Sequence, residues 1–318
     1  MIEPSEINNN SVDYSDCGCI NQLLELRPHL SDRKTVIKIL KEHGLIKKAH
    51  KCPRCGKECT LDERNLNWRC RKASPGYKTK KKVCDTKRTI WKGGWLEKSK
   101  LSVESAIIFT YLWLDDVYRV KLVERELKWS KRTITDWASF HREVVEDYLL
   151  SVQGKIGGVG KTVEIDESKF GKRKYNRGRL VEGQWVFGGF CRETGDFFAV
   201  PVETRDSETL LAIIKDRIHP GTTILSDCWS AYHCLESEGF RHETVNHTYY
   251  FKDPETGVHI NNVERMWRSH KENVPRFGRR KKHFTGYLGR YYFLKKFDTI
   301  QERVHQFFLA AARLYPPE

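Results

Sequence analysis

After residue 160 the apolar residues stop recurring at helical spacing and gather in short, strand-length runs. Residues 162–166 make the first run. Residues 184–192 and 196–203 make two more, joined by a tight turn at Glu193-Thr194-Gly195. Residues 207–217 then read as a helix with Leu210, Leu211 and Ile214 on one face. A strand at 222–226, a helix at 230–238, a strand at 242–245 and a helix at 258–271 follow. Strands in series followed by alternating helices and strands predict an α/β domain, at 160–300, with a mixed central sheet.

The chain ahead of this domain is of a different kind. Residues 1–49 read as a polar tail and two short helices separated by Pro28, with Ser31 or Asp32 capping the second. Residues 50–95 hold Cys52-x2-Cys55, then Cys70 and Cys84, among Lys, Gly and Trp. A Cys-x2-Cys turn supplies two thiolates from one tight loop, and a second pair completes a tetrahedron, so the spacing predicts a Zn2+ ribbon. Cys59 is a spare thiol that could replace one ligand. Residues 96–153 are helical, with Val103, Ala106, Ile107, Tyr111 and Leu114 at helical spacing. Segments 119–127 and 131–150, with Ser130 as a cap, fit a helix-turn-helix in which Lys131, Arg132, Thr133 and Thr135 face DNA. They fit equally an ordinary helical hairpin with Ile134, Trp137 and Val144 in its core. Residues 154–160 read as a glycine-rich linker, and 301–318 as a C-terminal helix.

Charge narrows the partners. Lys and Arg number 57 against 42 Asp and Glu, a net +15 that favours a polyanion. Apolar residues at 39% support packed cores. No stretch is long and apolar enough for a membrane span, and residues 1–16 lack the apolar core of a secretory signal. Clustered cysteines suit metal in an intracellular protein better than disulfides, and Cys191, Cys228 and Cys234 read as buried thiols.

Three acids carry the chemistry. Asp166 and Asp227 end strand-like runs, and Glu264 lies on the 258–271 helix. Carboxylates from two strand ends and one helix can converge on a pair of Mg2+ or Mn2+ ions, which activate a water or hydroxyl and steady a leaving oxygen. Lys172, Arg173, Lys174, Arg177 and Arg179 follow Asp166. Arg268, Lys271, Arg279, Arg280, Lys281 and Lys282 follow Glu264. Basic clusters on either side of the acids predict a track for DNA phosphates. His259, Asn261 and Asn262 are placed to orient water or phosphate, or to cap the helix.

The segments from Val163 to Arg179, Trp185-Val-Phe-Gly188, 224–232 and 253–267 resemble transposases of the Merlin superfamily of DNA transposons. They are similar also to bacterial insertion-sequence transposases of the ISXO2-like domain type. The resemblance covers about residues 50–297. It implies an RNase H-like fold and a DDE site formed by Asp166, Asp227 and Glu264, with Asn261 or Asn262 as a minor alternative third member. Ile260 stands where a Thr is common in the family. The implied activity is phosphodiester hydrolysis at transposon ends, followed by attack of the freed 3′-hydroxyl on target DNA. The zinc ribbon and helical region would recognise the terminal inverted repeats, and the chain would act as a homo-oligomer on double-stranded DNA. A nuclear location follows for a eukaryotic host, and nucleoid DNA in the cytoplasm otherwise. A transposase-derived binder without catalysis, or a metal-dependent nuclease without strand transfer, are the alternatives.

Overall fold

The computed structural model describes residues 14–72, 84–171, 183–227, 232, 234–245, 259–275 and 280–318. The chain divides into two compact units, Met1–Asp147 with Phe293–Glu318, and Tyr148–Tyr292. Among the described residues no helix is long and apolar enough to cross a membrane.

The first unit begins with α1 (Leu26–Ser31) and α2 (Arg33–Glu42). Pro28 sits inside the first turn of α1 instead of separating the helices. It is tolerated there because first-turn N–H groups have no intrahelical partner. Asp32 caps α2, accepting from the amides of Lys34 and Thr35. Strands β1 (Thr60–Asp62), β2 (Asn67–Cys70) and β3 (Thr86–Thr89) form an antiparallel sheet in that order. Helices α3 (Val103–Leu114) and α4 (Val120–Leu127) precede α5 (Lys131–Val152), and α9 (Ile300–Leu314) packs on α3. Phe109, Trp113, Trp137 and Phe307 surround His141 in one aromatic core, and Trp129 packs on Phe109 and Trp137. Burial holds His141 well below the usual histidine range, at about 3, so it is a neutral core residue.

The second unit is built on five strands. They are β5 (Thr162–Phe170), β6 (Gln184–Cys191), β7 (Phe197–Val202), β9 (Thr223–Asp227) and β10 (Arg241–Val245), in the order β10-β9-β5-β6-β7. β5, β9 and β10 are parallel, whereas β6 runs antiparallel to β5 and β7. Counted within the sheet, this is the 3-2-1-4-5 order of an RNase H-like domain, with the mixed sheet expected from the sequence. The glycine-rich stretch at 154–160 is not wholly a linker. Its β4 (Ile156–Gly157) pairs in parallel with β8 (Ile218–His219).

Each face of the sheet has its own core. Val163, Ile165, Phe187, Phe198 and Ile224 pack with Leu210 and Ile214 of α6 (Ser207–Arg217). Phe170, Val186 and Leu225 pack on the other face with Val263, Met266 and Trp267 of α7 (Asn261–Asn273) and with α8 (Phe284–Lys296). The helix expected over 230–238 is, within the described residues, a short 3-10 turn at Glu236–Glu238. Cys191 is buried and Cys234 half-buried. Cys228 lies outside the described residues.

Candidate active site

Asp227 is the last residue of β9. Asp166 is not at the end of its strand, as the sequence suggests, but in the middle of β5. The difference has a simple cause. β9 pairs with β5 only as far as Glu164, while β6 continues alongside to Phe170. Asp166 therefore stands just past the point where the parallel pairing ends. Glu264 lies in the first turn of α7 and is exposed.

Period-2 alternation puts Glu164 and Asp166 on the face of β5 that α7 covers. The Trp267 indole N–H donates to Asp166 Oδ2 at 2.9 Å. Gly188 makes this approach possible. It pairs directly with Asp166, and a Cβ there would lie 2.6 Å from the end of the Trp267 ring and 2.9 Å from the Met266 methyl. A Gly188→Ala variant is expected to lose about 1–3 kcal/mol of stability, because a packed indole cannot yield as a flexible chain end does. Denaturant unfolding checks this; a variant as stable as the parent would show that α7 has room to shift.

Burial, foremost, pushes the Asp166 carboxyl up to about 7, reinforced by the negative charges of Asp227 and Glu264 and opposed by the Glu167 amide and Trp267. The acidic trio thus shares one electrostatic neighbourhood, although its oxygens do not all meet within 4.8 Å as the sulfurs of Cys52, Cys55, Cys70 and Cys84 do. Oxygens ligating different members of a metal pair are separated more widely than the ligands of a single ion. Glu167, on the opposite face of β5, is likewise pushed up to about 8, by burial first and then by Asp166 and Asp227, while Arg205 opposes the shift. Its Oε1 is buried without a hydrogen bond among the described residues.

The sign of the pH dependence follows. An acid whose pKa is raised on folding binds more protons in the folded than in the unfolded state, so stability falls as pH rises from about 4 through about 7. A divalent cation at the carboxylate relieves that repulsion and competes with the proton. The thermal stabilisation produced by Mn2+ is therefore expected to grow between about pH 5.5 and pH 8. A cation increment that stays flat over this range, in melting curves, would separate Asp166 from metal binding.

Glu164 is a residue that sequence reasoning passes over. It is wholly buried, yet it accepts from the amides of Asn262 and Val263 at 2.8 and 3.0 Å and from Asn262 Nδ2 at 2.8 Å. It also pairs with Arg192 Nε at 2.7 Å, and Arg192 reaches the His259 carbonyl. The N-cap residue of α7, Ile260, makes no side-chain cap, so a carboxylate from β5 takes that role. Asn262 consequently turns toward Glu164. The sequence signal was a charged residue between Val163 and Ile165 in a central strand, which must be partnered if it is to be buried.

The cations divide between the units. Arg268 and Lys271 follow Glu264 at helical spacing and are exposed on α7, and Arg280, Lys281 and Lys282 are exposed ahead of α8. In the first unit, Lys131, Arg132 and Thr135 are exposed at the start of α5, while Ile134, Trp137 and Val144 are buried. Ser130 accepts from the Thr133 amide, and Lys128 takes a left-handed conformation (φ +58°) in the turn after α4. Lys172, Arg173, Lys174, Arg177, Arg179 and Arg279 lie outside the described residues.

Cys52, Cys55, Cys70 and Cys84 bring their sulfurs within 4.8 Å of one another, a donor set that fits Zn2+. The Cys52–Cys84 and Cys55–Cys70 separations are 3.7 and 3.5 Å. Cys59 packs beside the cluster and is not one of its four members. A Cys52→Ser variant is expected to lose zinc from this site and to destabilise the small sheet, which has little apolar core without metal. Unchanged zinc content by elemental analysis would defeat the assignment.

A sheet of this order with acids gathered beside α7 is the framework of the DDE class of transposases and integrases. Residues 152–294 match the ISXO2-like transposase domain. A protein of Haemophilus influenzae, described as an uncharacterised transposase-like protein, is 32% identical over 92 residues, covering 29% of this chain and 73% of that protein. The chain belongs to the ISXO2-like transposase domain family. Among solved structures, the intasome of simian T-cell lymphotropic virus in complex with the PP2A regulatory subunit B56 gamma aligns with a TM-score of 0.27 and 19% identity. The match covers 43% of this chain and 51% of that chain, about half its length. The HTLV-2 integrase catalytic core domain in complex with magnesium aligns with a TM-score of 0.20 and 16% identity over 42% of this chain and 97% of that chain.

Proposed function

We propose that this chain is a transposase that cuts the ends of a DNA element and joins them to target DNA, with Asp166, Asp227 and Glu264 as its acidic triad. One observation carries the reading. Half-buried Asp166 stands on the central strand of an RNase H-like sheet, just past the end of the parallel pairing, held by the Trp267 indole N–H and acted on by the charges of Asp227 and Glu264. Such a group is poised to exchange a proton for a cation. Mg2+ or Mn2+ held by the triad would supply activation of a water or 3′-hydroxyl and stabilisation of the leaving oxygen.

The chain's own residues do the rest. Trp267 fixes the orientation of Asp166 through Oδ2. Glu164 holds the α7 N-terminus, and with it Glu264, against β5. Arg268 and Lys271 lie on the exposed side of the same helix, suited to phosphates flanking the reacting bond. The zinc ribbon and the N-terminal part of α5, with Lys131 and Arg132, would bind the terminal repeats of double-stranded DNA. A homo-oligomer would hold two ends together. The nucleus of a eukaryotic host, or nucleoid DNA otherwise, would supply the substrate.

The test incubates the purified chain and Mg2+ with labelled terminal-repeat duplexes and a target plasmid. Joined products are expected. Nicks without joining would make the chain a nuclease, and shifted but uncut DNA would make it a binding protein.

A further inference from the structure

Cys17 and Cys19 lie before α1, His43 at the C-terminal end of α2, and His305 on α9. None of them belongs to the ribbon or the acidic trio. Cys17 Sγ and one ring nitrogen from each of His43 and His305 all lie within 4.8 Å of one another. His43 Nε2 is also 3.0 Å from His305 Nδ1, and Cys19, outside that group of three, joins it through a 3.5 Å contact of its Sγ with His43 Nε2. We propose that Cys17, Cys19, His43 and His305 are the ligands of a second zinc ion, separate from the four-cysteine cluster.

Four arguments support the site. The first is spacing. Zn–S near 2.3 Å and Zn–N near 2.0–2.1 Å give tetrahedral edges of about 3.6 Å for sulfur to nitrogen and about 3.3 Å for nitrogen to nitrogen. The separations of 3.5 and 3.0 Å come close to both. They run slightly short, as do the 3.5 and 3.7 Å sulfur pairs of the ribbon against an ideal of about 3.8 Å.

The second is tautomer. His43 Nδ1 lies 2.7 Å from the Ile39 carbonyl, a contact that requires the proton on Nδ1. Nε2 then presents its lone pair to the cluster, and a backbone carbonyl behind the ring is the usual outer support of a metal-bound histidine.

The third is the turn. The Cys19 amide donates to Cys17 Sγ at 3.4 Å, which closes the turn around the first sulfur. Gly18 takes a left-handed conformation (φ +81°), with Ile39 Cγ1 only 3.0 Å from where a Cβ would stand. His29 contacts the Gly18 carbonyl and Gln301 donates to that of Cys19, each at 2.7 Å. The knuckle is therefore fixed from α1 and from α9.

The fourth is closure. Cys17, Cys19 and His43 are 7%, 3% and 1% exposed. His305 is half-buried, and a zinc ion held by four protein ligands is structural, not catalytic. Two thiols lose their protons when the ion binds. The ion clips the segment before α1 to α2 and to a helix near the other end of the chain, inside a single compact unit.

The experiment counts zinc in the purified full chain by elemental analysis, after gel filtration removes loose metal. Two ions per chain are expected in the wild type, one in Cys17→Ser and one in Cys52→Ser. His305→Ala should fall to one, and His305→Cys should keep two. A wild-type content of one, lost completely in Cys52→Ser, overturns the proposal. So does a content of two that Cys17→Ser and His305→Ala leave unchanged. Should those variants not fold, Co2+ substitution of the wild type decides. The thiolate charge-transfer band should exceed that of a four-thiolate site by about half, and a band of four-thiolate intensity rejects the second site.

Discussion

Under the proposed function, an Asp227→Asn variant is expected to lose Mg2+-dependent DNA cleavage by roughly 10³-fold or more while binding DNA as well as the parent, or better. The metal contribution to a phosphodiester transition state is worth several kcal/mol, and each 1.36 kcal/mol is a factor of ten. Asn matches Asp in shape, so the fold should survive. The end of β9 is held by other groups. Ser226 Oγ donates to the Asp227 carbonyl at 2.7 Å and sits 2.8 Å from His242 Nε2, and Val245 pairs with Asp227 across the ladder. DNA affinity should hold or rise because the change removes a negative charge from beside the phosphates.

A second readout separates loss of the charge from loss of the fold. Since the charge of Asp227 helps to raise the Asp166 carboxyl, its removal should move the pH window of stability loss downward. Cleavage assays, binding titrations and pH-dependent melting together check the expectation. Cleavage persisting at parental rate would remove Asp227 from the site.

Most strands and helices of the second unit were readable from short apolar runs and helical spacing, because those patterns record which side chains leave water, but their order in the sheet was not. Gln184 to Cys191 and Phe197 to Val202 are strands largely as their residues suggest. The true length of β5 was hidden. Beyond Asp166 its residues Glu167, Ser168 and Lys169 are polar, and β6 alone continues beside them. A strand paired on one side carries a weaker apolar signature than one enclosed on both. Pro28 misled for another reason, since its effect depends on which turn of a helix it occupies. Glu264 was legible as a helical acid. The contacts that locate its helix, from Glu164 and from Trp267 over Gly188, join residues about a hundred positions apart, and no local pattern records such pairs.

Glu164→Gln is the substitution expected to do most damage away from the acidic trio. The carboxylate is inaccessible to water and receives donors from Asn262, Val263 and Arg192. An amide has one oxygen to offer these donors, and its own NH2 would face other N–H groups. The Arg192 guanidinium would also lose its ion partner. Breaking a buried pair on one side costs about 3–5 kcal/mol. The N-terminal turn of α7 would then lose the negative charge that faces its amides. Glu264 lies in that turn, so under the proposed function cleavage should fall by about 10²-fold, the usual scale for an ångström-sized displacement of a reacting group. Arg192→Leu made alongside tests the network. Because the two side chains share one site, the double variant should be less unstable than the sum of the singles. Denaturant unfolding of the three variants, with cleavage rates at saturating Mg2+, checks both parts. If Glu164→Gln unfolds at parental denaturant and cuts at parental rate, then α7 is held against β5 by its apolar face alone.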